Sequence, residues 1–408
     1  MASILGFRIQ NYRCLRDVSF GLTSQSPKNP VLTGLTVVIG KNGTGKSTLL
    51  DAFGFLSDCL IHGVEDACNK GQRGGFDRLR SKGCQGPIAL EINYREAKGQ
   101  PPFSYSVEIN ADPHGLPQVE TEILVQRRPG RKPGKPLQFL SIRHGRGEAR
   151  FGADDGSTAD EPSRVVPINL HNQSQLGIMA LGALNGYPHI EKLRIFLAGW
   201  YLSYFEPNAA RGLPLAGPQQ RLNSDGSNLG NVAQFMQRED PARFTATLKR
   251  IAERIPGIRS IDTLITFDKR LLLRFNESGF QDPFYAQQMS DGTLKLFAYL
   301  LLLESRDPPS LMCIEEPENG LYHKLLEILV REFRAHTQQS QPSSQIFVAT
   351  HHPYFLDALS PQEVWIMDKG PDGFSTARRA SDIELVRNMV DEGIPLGSLW
   401  YSNYFDPR

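Results

Sequence analysis

The sequence has 408 residues, of which 40% are hydrophobic and 22% charged; this balance excludes disordered and collagen-like classes and allows a sizeable core. The 45 Lys and Arg side chains are balanced by 44 Asp and Glu, which leaves a net charge of +1. No overall field therefore draws the chain to nucleic acid or to a membrane, and any such contact needs a local patch.

The first predicted elements are strands and one helix. Apolar and polar residues alternate over residues 4–10, and residues 31–39 end in the β-branched run Val37, Val38 and Ile39. A glycine-rich turn follows, and an apolar helical pattern runs from Ser47 to about Leu60. Short alternating segments separated by Pro and Gly turns, between residues 88 and 151, predict an antiparallel sheet.

In the second half of the chain the predicted elements change from mainly strands to helices, and then to alternating strands and helices. Helical patterns cover residues 174–205 and 229–254, and a strand pair at 258–276 and a helix at 291–304 follow. Strands and helices then alternate over residues 310–314, 321–335, 345–349, 354–358 and 363–367, which indicates βαβ crossovers of a parallel sheet. The sequence therefore predicts an α/β nucleotide-binding core that a central β and α insertion divides.

The turn after the second strand carries a phosphate-binding motif. Residues 40–47, Gly-Lys-Asn-Gly-Thr-Gly-Lys-Ser, match G-x-x-x-x-G-K-[ST]. The glycines let backbone N–H groups curl around phosphate oxygens, Lys46 reaches the β and γ phosphates, and the Ser47 hydroxyl ligates Mg²⁺. The following helix presents its positive N-terminus to the anion.

A later apolar strand ends in two carboxylates. It is the run Leu-Met-Cys-Ile-Glu-Glu-Pro at residues 311–317. A carboxylate at a buried sheet edge is costly unless a cation meets it, and a Mg²⁺ held by Ser47 supplies that charge. We assign Glu315 to the metal, directly or through water, and Glu316 to polarising the attacking water.

Two weaker motifs flank this strand in the sequence. Ser290 is a good N-cap for the apolar helix and Gly292 exposes backbone N–H groups, which alone predicts only a capped helix. His351 ends a later strand, where a histidine is more often structural. It follows the acidic strand at the distance where γ-phosphate sensors lie in P-loop folds.

The order of these motifs resembles the head domain of ABC-type ATPases, in the SMC/RecF/OLD branch rather than the transporter branch. Residues 7–15 resemble the first strand of that branch, and residues 40–48 its Walker A motif. Residues 289–293 resemble its signature loop, 315–321 its Walker B motif and D-loop, and Thr350-His351 its switch histidine. The resemblance covers about residues 1–60 and 285–370.

The resemblance implies an α/β P-loop NTPase with an ABC/SMC-head-like core, an antiparallel β lobe and a helical insertion. We expect the core at residues 1–87 and 258–408, the β lobe at 88–170 and the insertion at 171–257. The chain contains no long coiled-coil arm, and the residues after His351 are too few for the Toprim nuclease domain of OLD proteins.

The resemblance also implies the cofactors ATP and Mg²⁺ and assigns roles in binding and hydrolysis to particular residues. Two heads would dimerise around two ATPs, so that the signature loop of one subunit touches the γ-phosphate held by Lys46 of the other. Asp291 departs from the pattern, because many members have Gly there and its charge would lie near the phosphates. The implied catalytic residues are Glu316, Lys46 and His351, the metal ligands are Ser47 and Glu315, and the ATP contacts are Gly40, Asn42, Gly43, Thr44, Gly45, Lys46, Ser47, Thr48, Ser290 and Gly292.

A local basic patch predicts nucleic acid as a further partner. Residues 126–150 contain eight cationic side chains against one acid, Glu148: Arg127, Arg128, Arg131, Lys132, Lys135, Arg143, Arg146 and Arg150. Such an arm could track the phosphates of DNA or RNA. The alternative is a solvated loop balanced by the acids at residues 154–161.

These features lead to one functional hypothesis and several rivals. We expect an ATPase switch, a homodimer or higher even oligomer, that acts on nucleic acid or gates a separate nuclease or toxin, with anti-phage defence preferred by family analogy. A DNA-repair ATPase, a non-catalytic ATP-bound scaffold and a transporter subunit are the alternatives. Five cysteines without a CxxC pair suit the cytoplasm, and the longest apolar run, Leu296–Leu303, is too short to cross a membrane.

Overall fold

The computed structural model describes residues 2–127, 136–152, 163–339 and 344–406. The chain divides into two compact units, each built from two stretches of sequence. The first unit comprises residues 1–200 and 362–383, and the second comprises residues 201–361 and 384–408.

The first stretch, up to residue 200, is mostly strand. Its described helices are α1 (Lys46–His62), α2 (Val64–Asn69), α3 (Phe76–Leu79), α4 (Gly177–Leu181) and α5 (Pro188–Ala198). Its described strands are β1 (Ser3–Tyr12), β2 (Leu15–Gly21), β3 (Leu35–Ile39), β4 (Ile88–Arg95), β5 (Phe103–Ala111), β6 (Pro117–Gln126), β7 (Leu137–Arg143), β8 (Arg146–Phe151) and β9 (Arg164–Asn169).

Most of these strands form one antiparallel sheet in the order β2-β1-β4-β5-β6-β7-β8-β9. Alternate residues of β5 are buried, as expected for a sheet with one covered face. The rings of Phe7 and Phe20 stack at 4.8 Å, and Phe53 of α1 packs edge-on against Phe7 at 4.8 Å. The antiparallel sheet predicted between residues 88 and 151 is confirmed, and β1, β2 and β9 extend it.

The helical patterns predicted over residues 174–205 are confirmed only in part. The chain instead forms α4, a turn, α5 and the strand β10 (Trp200–Ser203). Gly186 has a φ of +96°, and Pro188 begins α5, so the backbone at this turn cannot continue a helix.

The middle of the chain supplies most of the second unit. Its helices are α6 (Pro207–Ala210), α7 (Leu229–Glu239), α8 (Pro241–Arg254), α9 (Asp291–Leu303), α10 (His323–Gln338) and α11 (Pro353–Leu356). Its strands are β11 (Ile258–Ile265), β12 (Leu271–Glu277), β13 (Phe284–Tyr285), β14 (Leu311–Glu315) and β15 (Gln345–Thr350). β14 pairs in parallel with β15, which places Glu315 opposite Ala349.

The chain then returns to each unit once. In the first unit, β16 (Val364–Lys369) pairs in parallel with β3 and antiparallel with β17 (Ser375–Arg379). In the second unit, α12 (Glu384–Asp391) and α13 (Leu396–Tyr401) follow. Among the helices of the described ranges, none combines the length and apolarity needed to cross a bilayer.

Candidate functional site

The glycine loop lies between the fully buried strand β3 and helix α1 in the first unit. Gly43 and Gly45 have φ values of +81° and +102°, a region that disfavours other residues. A side chain at Gly40 would collide with the carbonyl oxygen of Met367 on β16. These three glycines therefore fix the tight path of the loop.

The predicted ATP-contacting residues differ in exposure. Asn42, Gly43 and Ser47 are exposed, Thr48 is half-buried and Lys46 is buried. The ammonium of Lys46 donates to the carbonyl oxygens of Gly40 at 2.7 Å and of Lys41 at 3.2 Å. Lys46, at the end of the loop, thus bonds back to the first two residues of the loop and places its positive charge beside them.

Ser375, which lies outside the motif, holds the loop in place. The Ser375 hydroxyl, on β17, donates to the Thr44 carbonyl oxygen at 2.6 Å, and the Ser375 N–H donates to the Cys14 carbonyl oxygen at 2.9 Å. The Thr44 hydroxyl donates to the Lys41 carbonyl oxygen at 2.9 Å. No pattern in the sequence indicates Ser375, because it follows Thr44 by 331 positions.

The start of α1 fits a triphosphate. Its N-cap is Gly45, which offers no side chain to the first N–H groups, and its first turn contains no acidic residue. An anion is therefore the natural partner for the positive end of this helix. The exposed Ser47 hydroxyl in the first turn is an oxygen ligand of the kind that Mg²⁺ prefers.

In the second unit, Glu316 directly follows β14 and is held at both carboxylate oxygens. Its Oε1 lies 3.1 Å from Nδ1 of His351, and its Oε2 accepts from the Asn319 side chain at 2.8 Å. When Glu316 is ionised its carboxylate only accepts, and Nδ1 of His351 is then the donor of that bond. The structure therefore brings together two residues that the sequence assigned to catalysis.

Glu316 also has an unusual backbone. Its φ of +42° is rare for a residue with a side chain, and such outliers concentrate at functional sites. Its N–H donates to the Ala349 carbonyl oxygen at 2.8 Å, and its own carbonyl oxygen accepts from Lys295 Nζ at 3.3 Å. These two bonds, from β15 and α9, hold the strained conformation.

Glu318 and Lys295 are buried charges that the motifs did not single out. Glu318 Oε1 accepts from the Thr350 hydroxyl at 2.5 Å and from the His351 N–H at 3.4 Å. Burial lowers the pKa of Lys295, and the nearby charges of Glu318, Glu316 and Asp291 partly offset that effect. Lys295 and Glu318 thus place opposite, buried charges beside Glu316 and His351, whose own side chains are half-buried.

The signature motif forms the start of α9. Ser290 is the N-cap, and its hydroxyl accepts from the Thr293 N–H at 3.2 Å. A side chain at Gly292 would collide with the carbonyl oxygen of Gly320, so the glycine allows the helix start to lie directly against the loop after Glu316. Ser290 is exposed, whereas Gly292 is buried.

Asp291 is paired with a cation that the sequence analysis missed. Its carboxylate forms an ion pair with Arg211, which also donates to the Met289 carbonyl oxygen at 2.8 Å. Arg211 thus offsets the negative charge that we expected next to the phosphates.

Half of the basic arm lies outside the described residues: Arg128, Arg131, Lys132 and Lys135. Of the others, Arg143 and Arg146 flank the turn between β7 and β8. Arg150 donates to the Gln138 carbonyl oxygen at 3.2 Å and to the Ser163 hydroxyl at 3.0 Å.

A glycine loop between a buried strand and a helix, in a mixed α/β chain, defines a P-loop NTPase. The chain belongs to the AAA_21 family, described as "AAA domain, putative AbiEii toxin, Type IV TA system", whose model matches residues 35–357. No curated protein sequence matches the chain.

Solved structures of similar fold are SMC heads. The Smc head domain from Pyrococcus furiosus, with an extended coiled coil and bound to the C-terminal domain of ScpA, has a TM-score of 0.51 at 11% identity, over 96% of this chain and 100% of that chain. The SMC head domain from Thermotoga maritima has a TM-score of 0.42 at 12% identity, over 92% and 98%. The first similarity confirms the predicted ABC/SMC-head-like fold.

Proposed function

We propose that the chain binds ATP with Mg²⁺ and hydrolyses it. The observation that carries the proposal is the glycine loop, closed by Lys46 and followed by a helix start without a cap or an acid of its own. Backbone N–H groups of the loop and α1 bind the phosphates, and Lys46 neutralises the charge that builds on them. When bound, Mg²⁺ would neutralise further phosphate charge, and Ser47 and Glu315, the latter directly or through water, are the residues that would hold it.

Hydrolysis needs a group that takes a proton from water, and we assign this role to Glu316. The new bond joins the water oxygen to the γ-phosphorus, the bond to ADP breaks, and the water proton goes to the Glu316 carboxylate. The contact with His351 orients that carboxylate, and Nε2 of the same ring is the atom that meets the γ-phosphate.

Two substitutions test this assignment. We expect Lys46→Ala to abolish ATP binding, whereas Glu316→Gln keeps binding but slows hydrolysis about 10²- to 10⁴-fold, since it removes a general base. Phosphate release and binding of a fluorescent ATP analogue measure the two effects. Glu327→Gln removes an exposed carboxylate of the same unit and serves as the control. Hydrolysis by Glu316→Gln at the wild-type rate would contradict the assignment of Glu316 as the general base, whereas ATP binding without hydrolysis by the wild type would favour the ATP-bound scaffold.

We further propose that ATP turnover controls a separate toxin or nuclease in anti-phage defence. The support is the family description, which names a toxin of a type IV toxin–antitoxin system. In cells that carry the protein with its neighbouring gene, Lys46→Ala should lose protection in a phage plaque assay. Equal plaque counts for the wild type and Lys46→Ala would contradict the defence role and leave DNA repair as the leading alternative.

A further inference from the structure

The last helix of the chain contacts the switch histidine. The indole N–H of Trp400, on α13, donates to the backbone carbonyl oxygen of His351 at 3.2 Å. The same histidine is bonded through its N–H to Glu318 and through its ring to Glu316. Three side chains, two from the loop after β14 and one from α13, thus fix its backbone and its ring.

The helix that carries Trp400 is firmly seated. A side chain at Gly397 would collide with the Pro353 carbonyl oxygen, and the Gly397 N–H donates to the Asp357 carboxylate at 2.8 Å. Phe405 is fully buried, with its ring 5.9 Å from that of Trp400. The indole therefore reaches His351 from a rigid support.

Packing alone does not account for the hydrogen bond of Trp400. The other two tryptophans, Trp200 and Trp365, are 7% and 4% exposed, and their indole nitrogens are buried with no hydrogen-bond partner among the described residues. Trp400 is less buried than either, and its N–H is aimed at the peptide group that carries the switch ring.

We propose that Trp400 is a positioning residue for ATP hydrolysis: its indole N–H holds the His351 backbone so that the imidazole stays on Glu316. The inference rests on the proposed ATPase function. It also links the C-terminal helix of the chain to the residue that meets the γ-phosphate, since displacement of α13 breaks the hydrogen bond.

The conservative variant Trp400→Phe tests the hydrogen bond, because it keeps an aromatic ring and removes the N–H. We expect kcat to fall about 3- to 10-fold, the effect of one lost hydrogen bond, with the dissociation constant for ATP unchanged. Trp365→Phe, which removes an unbonded indole N–H, is the matched control and should keep both constants. Equal kcat values for the two variants would overturn the proposal.

A spectroscopic test does not depend on hydrolysis. In the double variant Trp200→Phe, Trp365→Phe, Trp400 is the only tryptophan, and its emission reports on the contact with His351. We expect the non-hydrolysable analogue AMP-PNP with Mg²⁺ to shift that emission, and the added Lys46→Ala to remove the shift. An unshifted emission at saturating nucleotide overturns the link between Trp400 and the nucleotide. A shift in a protein that does not hydrolyse ATP keeps that link but overturns the proposed ATPase function and the positioning role that rests on it.

Discussion

Asp291 departs from the signature motif, and a neighbouring arginine pairs with its charge. A carboxylate at the start of α9 would repel a triphosphate, whereas the glycine common at this position would not. Arg211 forms an ion pair with Asp291 and also donates to the Met289 carbonyl oxygen, so its guanidinium is fixed beside the helix start. We infer that the pair behaves as a neutral or weakly positive surface toward phosphate.

A double-mutant cycle at this pair checks the inference. Arg211→Ala leaves Asp291 unpaired and should weaken ATP-dependent dimerisation about 2- to 5-fold, the range of a partly exposed ion pair. The double variant Arg211→Ala, Asp291→Asn should recover most of that loss, because no uncompensated charge remains. Sedimentation equilibrium with AMP-PNP measures the dimer dissociation constant. If the double variant dimerises as weakly as Arg211→Ala does, the arginine has another role.

The site residues divide into those that the sequence could predict and those that it could not. Lys46, Ser47 and Glu316 lie in short motifs whose local spacing reflects their chemistry, so a single pass along the chain finds them. Arg211 and Asp291 are 80 positions apart, and Trp400 and His351 are 49 apart. Such pairs arise only from the folded chain, and no local periodicity marks them.

At the scale of secondary structure, a buried carboxylate anchors a short helix. Glu122 on β6 is fully buried and accepts from the Tyr105 hydroxyl at 3.0 Å and from the N–H groups of Gly177 and Ile178 at the start of α4. Burial raises the pKa of Glu122 to about 6 from its usual 4.5, because the three donors offset only part of the desolvation cost.

This shift makes stability depend on pH in a defined direction. Between pH 4.5 and 6 the folded state binds the Glu122 proton more tightly than the unfolded state, so stability falls as the pH rises through this window. The variant Glu122→Gln has no group that titrates at this position. The other carboxylates are the same in the wild type and the variant, so their contributions to the pH dependence cancel when the two proteins are compared. We expect the free energy of unfolding of the wild type to drop by about 2 kcal/mol in total relative to the variant, from well below pH 4.5 to well above pH 6. Urea denaturation at several pH values measures it, and a pH-independent difference would contradict the shift.

The elements themselves were predicted unevenly. β3, β14 and β15 are runs of apolar residues, buried throughout except for the half-buried Glu315 at the end of β14, so their composition alone identified them. The segment 174–205 has helical composition, but the turn at Gly186 and Pro188 breaks it, and the backbone geometry of one glycine decided the outcome. A turn that depends on the backbone of one glycine is hard to locate from a pattern of residue types averaged over many positions.

At the scale of the whole molecule, the resemblance to SMC-like heads implies two copies of the chain around two ATPs. The signature residues Ser290 and Gly292 begin α9, and Ser290 is exposed. The resemblance assigns this exposed helix start to the ATP of a second subunit.

Ser290→Arg should therefore block dimerisation while ATP binding by the monomer persists. The large side chain obstructs the helix start and removes the N-cap hydroxyl, at a cost of about 1 kcal/mol in helix stability. Light scattering with AMP-PNP gives the mass, and Ser278→Arg, at an exposed turn of the same unit, is the control. A full dimer of Ser290→Arg would falsify the two-ATP arrangement.

The support of Thr44 by Ser375 has a consequence for synthesis of the protein on the ribosome. Strands β16 and β17, which complete the surroundings of the glycine loop, are translated more than 300 residues after it. A nascent chain that has emerged only as far as β15 has the motif but not the hydroxyl or the neighbouring strand that hold it in shape. Nucleotide affinity should therefore arise late in translation, so that incomplete chains do not compete with finished ones for ATP or for a second subunit.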